Sequence, residues 1–275
     1  MNFLMYPNDT NDQARAVARK IAGQLRAAGH DARALREADE PWLRAAHMAV
    51  VVGGDGTVLR AVRALHEYGF PFWAVNAGHL GYLTECEPGE AEAALARILA
   101  GSYRVEKRAM LAGCLHSGGA ATPFLALNEA VIHRSGYARN MRMRLSVDGA
   151  EIQRIAGDGL LVSTPTGSTA YNLSAGGPIL LPESVQAVIT PICPHAALCP
   201  PLVVDGTDEI SISVDLAGED EAGELPQLVV DGCQRLRLHP GDRVVCHIAD
   251  QRACFVKTGT QGFYRRLQSK MAQNR

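Results

Sequence analysis

The stretch VVVGGDGTVLRAV, Val50 to Val62, sets one carboxylate, Asp55, among Gly53, Gly54 and Gly56 and follows it with Thr57 and Arg60. A carboxylate so placed can take a proton from a hydroxyl, and glycine amides beside a helix N-terminus favour an anion. Arg60, one turn further on, can meet a phosphate. Asp55 as a plain helix-capping turn residue is the alternative, since Asp-Gly turns are common.

Three more stretches gather polar groups. GDGLLVSTPTGSTAYNLSAGGP, Gly157 to Pro178, holds Ser163, Thr164, Thr166, Ser168, Thr169, Tyr171, Asn172 and Ser174. It contains no lysine, so the G-x-x-x-x-G-K-[ST] phosphate loop is excluded here. A segment this long is a binding loop or a turn-rich connection between strands. LALNEAVIHR, Leu125 to Arg134, puts Asn128 and Glu129 inside an apolar strand, where a ligand or a structural hydrogen-bond network must satisfy them. NAGHLGYLTE, Asn76 to Glu85, follows a strand, and its glycines suggest close backbone packing or ligand access.

The elements that must position these groups follow from periodicity. Val50 to Val52 reads as a buried parallel strand, and Val58, Ala61, Val62 and Leu65 as the inward stripe of a helix. Phe3 to Tyr6, Asp31 to Leu35 and Phe72 to Val75 are further strands. Thr10 and Gln13 have capping-box spacing before a helical stripe from Ala14 to Leu25 that ends at Gly29, and another helix spans about Glu90 to Leu99. This rhythm predicts an α/β N-terminal domain with a parallel, doubly wound sheet. After Gly101 the predicted elements are strands: Arg104 to Leu115, Phe124 to His133, Arg142 to Val147, Leu160 to Ser163, Val185 to Thr190, Ile210 to Val214, Gln227 to Val230 and Arg243 to Ile248. A closing helix, Phe263 to Met271, completes the expected division into 1–103, a mainly-β 104–254, and a segment 255–275 that returns to the first domain.

The 27 Lys and Arg against 29 Asp and Glu leave a formal charge of −2, which argues against a nucleic-acid partner. No apolar run approaches the roughly 20 residues of a membrane span and no signal peptide is recognisable, so a cytoplasmic protein with no membrane partner is expected. The 7 cysteines form no C-x-x-C pair and the 9 histidines lack metal-ligand spacing, so no side-chain metal site is assigned.

In order, the motifs GGDGT (53–57), NAGHLGYLTE (76–85), NEAVIHR (128–134) and GDGLLVSTPTGSTAYNLSAGGPI (157–179) resemble the NAD kinase family, as do ITPICPH (189–195), VVDG (229–232) and FYRRLQSK. The resemblance implies phosphoryl transfer from ATP, or polyphosphate, to the adenosine ribose 2′-hydroxyl of NAD, with Mg²⁺ or another divalent cation. It implies Asp55 as the catalytic base in a loop with Gly53, Gly54, Gly56, Thr57 and Arg60. It implies NAD contacts from Asp55, Gly56, Arg60, Asn128, Glu129, Arg139, Asp158, Thr169, Ala170, Tyr171, Asn172, Leu173 and Ser174. The implied fold adds a C-terminal β-sandwich, and the implied assembly is a homodimer or homotetramer. The chain departs from the family pattern at Ala196 to Pro201 and at Cys233, where polar groups near the NAD pocket or subunit contact are missing. A lipid or sugar kinase sharing GGDGT alone, or a silent dinucleotide-binding module, are the competing readings.

Overall fold

The computed structural model describes residues 1–78, 81–134, 141–195, 199–216, 225–259 and 262–273. The chain forms two compact units, Met1–Lys107 with Ala253–Arg275, and Arg108–Arg252.

The first unit runs β1 (Asn2–Pro7), α1 (Asp12–Ala27), β2 (Asp31–Ala34), α2 (Glu40–Arg44), β3 (Met48–Val52), α3 (Asp55–Leu65), β4 (Phe72–Val75) and α4 (Ala91–Leu99). Its strands lie parallel in the order β2-β1-β3-β4. Val50, Val52, Trp73 and Val75 share a core with Ala18, Ile21 and Leu25 of α1 and Leu95 and Ile98 of α4. Ala49 and Val51 are also buried and, by strand alternation, face the other way, while α3 buries Val58, Ala61, Val62 and Leu65. Both faces of the strands are therefore covered, which is why β3 reads as an uninterrupted apolar run.

Two local expectations are corrected. The α1 cap is Asn11, not Thr10: its side chain accepts the Ala14 N–H at 3.0 Å and donates to the Ala77 carbonyl at 2.9 Å, a double role that Thr10 does not fill. The short α2 was not anticipated, because one turn is too brief for a hydrophobic period; Asp39 caps it and Pro41 lies in its first turn.

The second unit comprises β5 (Arg104–Ser117), β6 (Ala120–Ala126), β7 (Glu129–His133), β8 (Met141–Val147), β9 (Ala150–Gly157), β10 (Gly159–Ser163), α5 (Tyr171–Ser174), β11 (Ala187–Ile192), β12 (Leu202–Val204), β13 (Ile210–Leu216), β14 (Gln227–Val230), β15 (Gln234–Arg237) and β16 (Arg243–Lys257). β5 starts, and β16 ends, within the first unit. One antiparallel sheet has the order β12-β11-β10-β7-β14-β15; in the other, β16, β13, β8 and β9 follow one another and the β5–β6 hairpin joins at β16. Ile132, Leu160, Val162, Ile189 and Leu228 of the first sheet share one core with Met143, Leu145, Ile212, Val244 and Cys246 of the second. That is a β-sandwich. The single strand expected over Phe124 to His133 is two strands in different sheets, broken at Leu127 and Asn128.

The last residues of β16 and a closing helix, α6 (Phe263–Gln273), belong to the first unit. Phe255 pairs with Phe72 of β4 in parallel register. The buried Glu85 carboxylate meets Lys257 Nζ at 3.2 Å and Arg266 at 3.3 Å, and it accepts the N–H groups of Thr258 and Gly259. The attraction of Lys257 and Arg266 and the Gly259 amide outweigh burial and hold the Glu85 carboxyl below the usual glutamate range. Breaking a buried ion pair from one side costs about 3–5 kcal/mol. Glu85→Ala is therefore expected to destabilise the protein by about that amount in urea denaturation, and an unchanged midpoint would remove the network from its anchoring role.

Candidate active site

Asp55 is the first residue of α3, directly after β3 and the N-cap Gly54. Its carboxylate does not cap its own helix. The Tyr82 N–H donates to Oδ2 at 2.7 Å and the Leu83 N–H donates to Oδ1 at 3.1 Å. A Cβ on Gly81 would overlap the same carboxylate, so only glycine lets the segment after β4 approach this closely. Buried Asn76 steadies the approach: its amide donates to Glu87 at 2.8 Å and its oxygen accepts the Gly78 N–H at 3.2 Å. Burial first and the Asp55 charge second push the Tyr82 phenol up. Thr57 is buried against Gly53, and Arg60 donates to its hydroxyl at 3.3 Å while remaining exposed. Gly56 is exposed at the start of α3. The first unit thus brings Asp55, the glycine turn, Thr57 and Arg60 together, with two main-chain amides orienting the carboxylate.

The second unit builds its cluster around the break between β6 and β7. Asp231 accepts the N–H groups of Leu127, Asn128 and Glu129 at 2.7, 2.8 and 3.1 Å. It stands in the β14–β15 turn at φ 48°, followed by Gly232 at φ 66°. These are the left-handed conformations a tight hairpin demands, and Asp and Gly tolerate them. From the other side, the Thr164 N–H donates to the Asn128 carbonyl at 2.8 Å and its hydroxyl to the Leu127 carbonyl at 2.6 Å. Gly167 packs so tightly on Asn128 that a side chain would strike its carbonyl. Asn128 and Glu129 are therefore held on the backbone from both sides. Glu129 is buried, its carboxyl pushed up to about 8 by burial and then by the Asp231 charge.

The remaining expected contacts divide. Thr169, Ala170, Leu173 and Ser174 are partly or fully accessible around α5, and Tyr171 is exposed. Asp158 lies beside β10, paired with Arg134 at 2.8 Å. Asn172 is wholly buried, and its amide is spent internally: it donates to the Ser168 and Pro178 carbonyls at 3.1 and 2.9 Å and accepts from Thr190 at 2.6 Å. Its side chain ties the loop to β11. Arg139 and Ala196 to Leu198 lie outside the described residues, and Cys233 is exposed at the β14–β15 turn. Asp231, Thr164 and Thr190 received no role from sequence; Asp-Gly in VVDG was the one available signal. Among the described residues, no group of three His, Cys, Asp or Glu side chains could hold a metal ion, and no helix is long and apolar enough to cross a membrane.

Residues 5–103 match the ATP-NAD kinase N-terminal domain and residues 127–258 the ATP-NAD kinase C-terminal domain. The chain belongs to the NAD kinase family. It is 40% identical over 229 residues to the NAD kinase of Moorella thermoacetica, covering 83% of this chain and 72% of that one. To the NAD kinase of Carboxydothermus hydrogenoformans it is 41% identical over 227 residues, covering 82% and 79%. An NAD kinase from Archaeoglobus fulgidus, solved in complex with ATP, superposes with a TM-score of 0.76 at 25% identity over 98% of both chains. Yeast NADH kinase, solved with NADH, shares the fold with a TM-score of 0.87 at 21% identity, covering 99% of this chain and 87% of that one. Membership of this family makes the chain a phosphotransferase, and the match over its C-terminal domain sets aside a kinase sharing GGDGT alone.

Thr190→Val keeps the shape of the buried side chain but leaves Asn172 Oδ1 without its hydroxyl donor. The expected cost is about 1–3 kcal/mol in chemical denaturation; a neutral effect would show that Asn172 does not hold this loop.

Proposed function

We propose that this chain phosphorylates the adenosine ribose 2′-hydroxyl of NAD to give NADP, with ATP as donor and Asp55 as general base. The observation that carries the reading is the Asp55 carboxylate, fixed at the head of α3 by the Tyr82 and Leu83 amides. Each carboxylate oxygen keeps lone-pair capacity beyond the one amide it accepts. One of them takes the hydroxyl proton as the ribose oxygen bonds to the γ-phosphorus, and ADP leaves with the electrons of the broken phosphoanhydride bond. Such a reaction needs mainly positioning and charge stabilisation. The main chain of Gly53, Gly54 and Gly56, the N-terminus of α3 and Arg60 are the groups that would supply both.

A divalent cation, Mg²⁺ by preference, would neutralise the donor's phosphates. Magnesium is commonly held by substrate phosphates, waters and one or two carboxylates. Asp55 is the carboxylate that would be available to such an ion here. In the second unit, Asn128, Glu129, Asp158, Thr169, Ala170, Tyr171, Leu173 and Ser174 would receive the dinucleotide, with Asn172 shaping the loop that carries them. Polyphosphate is a second donor to test alongside ATP. A cytoplasmic homodimer or homotetramer completes the reading.

The deciding experiment is NADP formation from NAD, ATP and Mg²⁺, read through an NADP-specific dehydrogenase. Asp55→Asn should lose turnover by about 10²-fold or more while NAD affinity stays within a few-fold. Near-normal turnover would remove Asp55 from the base role. NAD binding by the wild type with no product would instead make the protein a silent binding module.

A further inference from the structure

Glu129 is only 8% exposed, yet its Oε2 has no hydrogen-bond partner among the described residues. An ionised carboxylate left this way is costly, so the group must bind a proton, a ligand or both. Its surroundings separate these options. From the β14–β15 turn comes Asp231, another carboxylate, already committed as acceptor to three backbone N–H groups. From β10, Ser163 stands opposite Glu129 in register, but its hydroxyl donates to the carbonyls of Thr164 and Asn128. From α5, the Tyr171 amide is the donor that favours the charged form, while its phenol is exposed. On β7 itself the next residues are Ala130, Val131 and Ile132. Asp231 is thus the charge acting on Glu129, and it repels a second negative charge.

We propose that Glu129 works as a neutral carboxylic acid, donating a hydrogen bond from its buried carboxyl to an oxygen acceptor of the bound dinucleotide, with Asp231 as the positioning residue that keeps the proton in place. The two carboxylates then divide the work: Asp231 stays the acceptor that binds the β6–β7 break, and Glu129 becomes a donor. Burial and the Asp231 charge place the change of state near pH 8. The donor is present below that pH and lost above it, so affinity falls as pH rises. The identity of the ligand rests on the NAD kinase reading; the location of the proton does not.

Glutamine is the stable mimic of a protonated glutamate, which makes Glu129→Gln the informative variant. In ligand-free protein, the infrared difference between wild type and Glu129→Gln should show a protonated carboxyl band that disappears with a midpoint near pH 8. A band already gone by about pH 6 would overturn the proposal. In calorimetry, wild-type affinity for NAD should fall about tenfold per pH unit above the midpoint. Glu129→Gln should bind within a few-fold of wild type at pH 7 and show no such fall. A tenfold or greater loss at pH 7 in a folded Glu129→Gln would mean that the ligand needs an ionised acceptor, and would overturn it too. Asp231→Asn should lower the infrared midpoint; an unchanged midpoint removes Asp231 from its role, and if that variant does not fold the Glu129→Gln data decide alone. A protein whose band titrates near pH 8 but which forms no NADP would refute the kinase reading while leaving the proton on Glu129.

Discussion

Two backbone N–H groups from the segment after β4 converge on one carboxylate at the head of α3, and the first unit is organised so that they can. β3 and β4 are adjacent parallel strands, so the turns leaving their carboxyl ends are neighbours. That is where open α/β sheets place their ligands. Asp55 would otherwise rotate freely or cap its own helix. Held by Tyr82 and Leu83, it keeps one orientation, and the absence of a side chain at Gly81 makes the approach possible. Asn76 and Asn11 extend the bracing to the loop that carries Gly78 and Ala77.

The second unit solves a similar problem with opposite polarity. There the backbone between β6 and β7 is the fixed object, and Asp231 and Thr164 grip it from two sides. The break sends β6 to one sheet and β7 to the other, and it leaves Asn128 and Glu129 at a strand start instead of mid-ladder. Asn172, buried and fully bonded, gives the α5 loop the same rigidity. In both units a carboxylate joined to distant backbone N–H groups fixes the local geometry: in the first that carboxylate is itself proposed to meet substrate, in the second it holds the backbone of the residues that are.

Much of this was legible from residue order. The Val50 to Val52 run, the glycine turn and the Val58 to Leu65 stripe announce strand, turn and helix because each has its own period, and the glycines of NAGHLGYLTE pointed to close packing. The rest depended on partners far along the chain. Nothing within Phe124 to His133 signals a break, because the carboxylate that stabilises it lies about a hundred positions later, in VVDG. The choice of Asn11 over Thr10 as cap turns on the Ala77 carbonyl, which only the folded sheet brings near. The burial of Asn172 and its three internal bonds, to Ser168, Pro178 and Thr190, likewise depend on partners that its own stretch does not announce. β9, β12 and β15 are short or polar strands whose pairing, not their own pattern, defines them.

If the amide-held carboxylate is the centre of the chemistry, then moving it without changing it should be enough to stop turnover. Steady-state kinetics of Gly81→Ala measures this directly, since the added methyl strikes the Asp55 carboxylate and leaves the second unit's sequence untouched. The expected result is a kcat lowered by at least about tenfold with the KM for NAD changed by no more than a few-fold, as a misplaced catalytic group requires. A wild-type kcat in folded Gly81→Ala would show that the orientation imposed by Tyr82 and Leu83 is not what the reaction depends on.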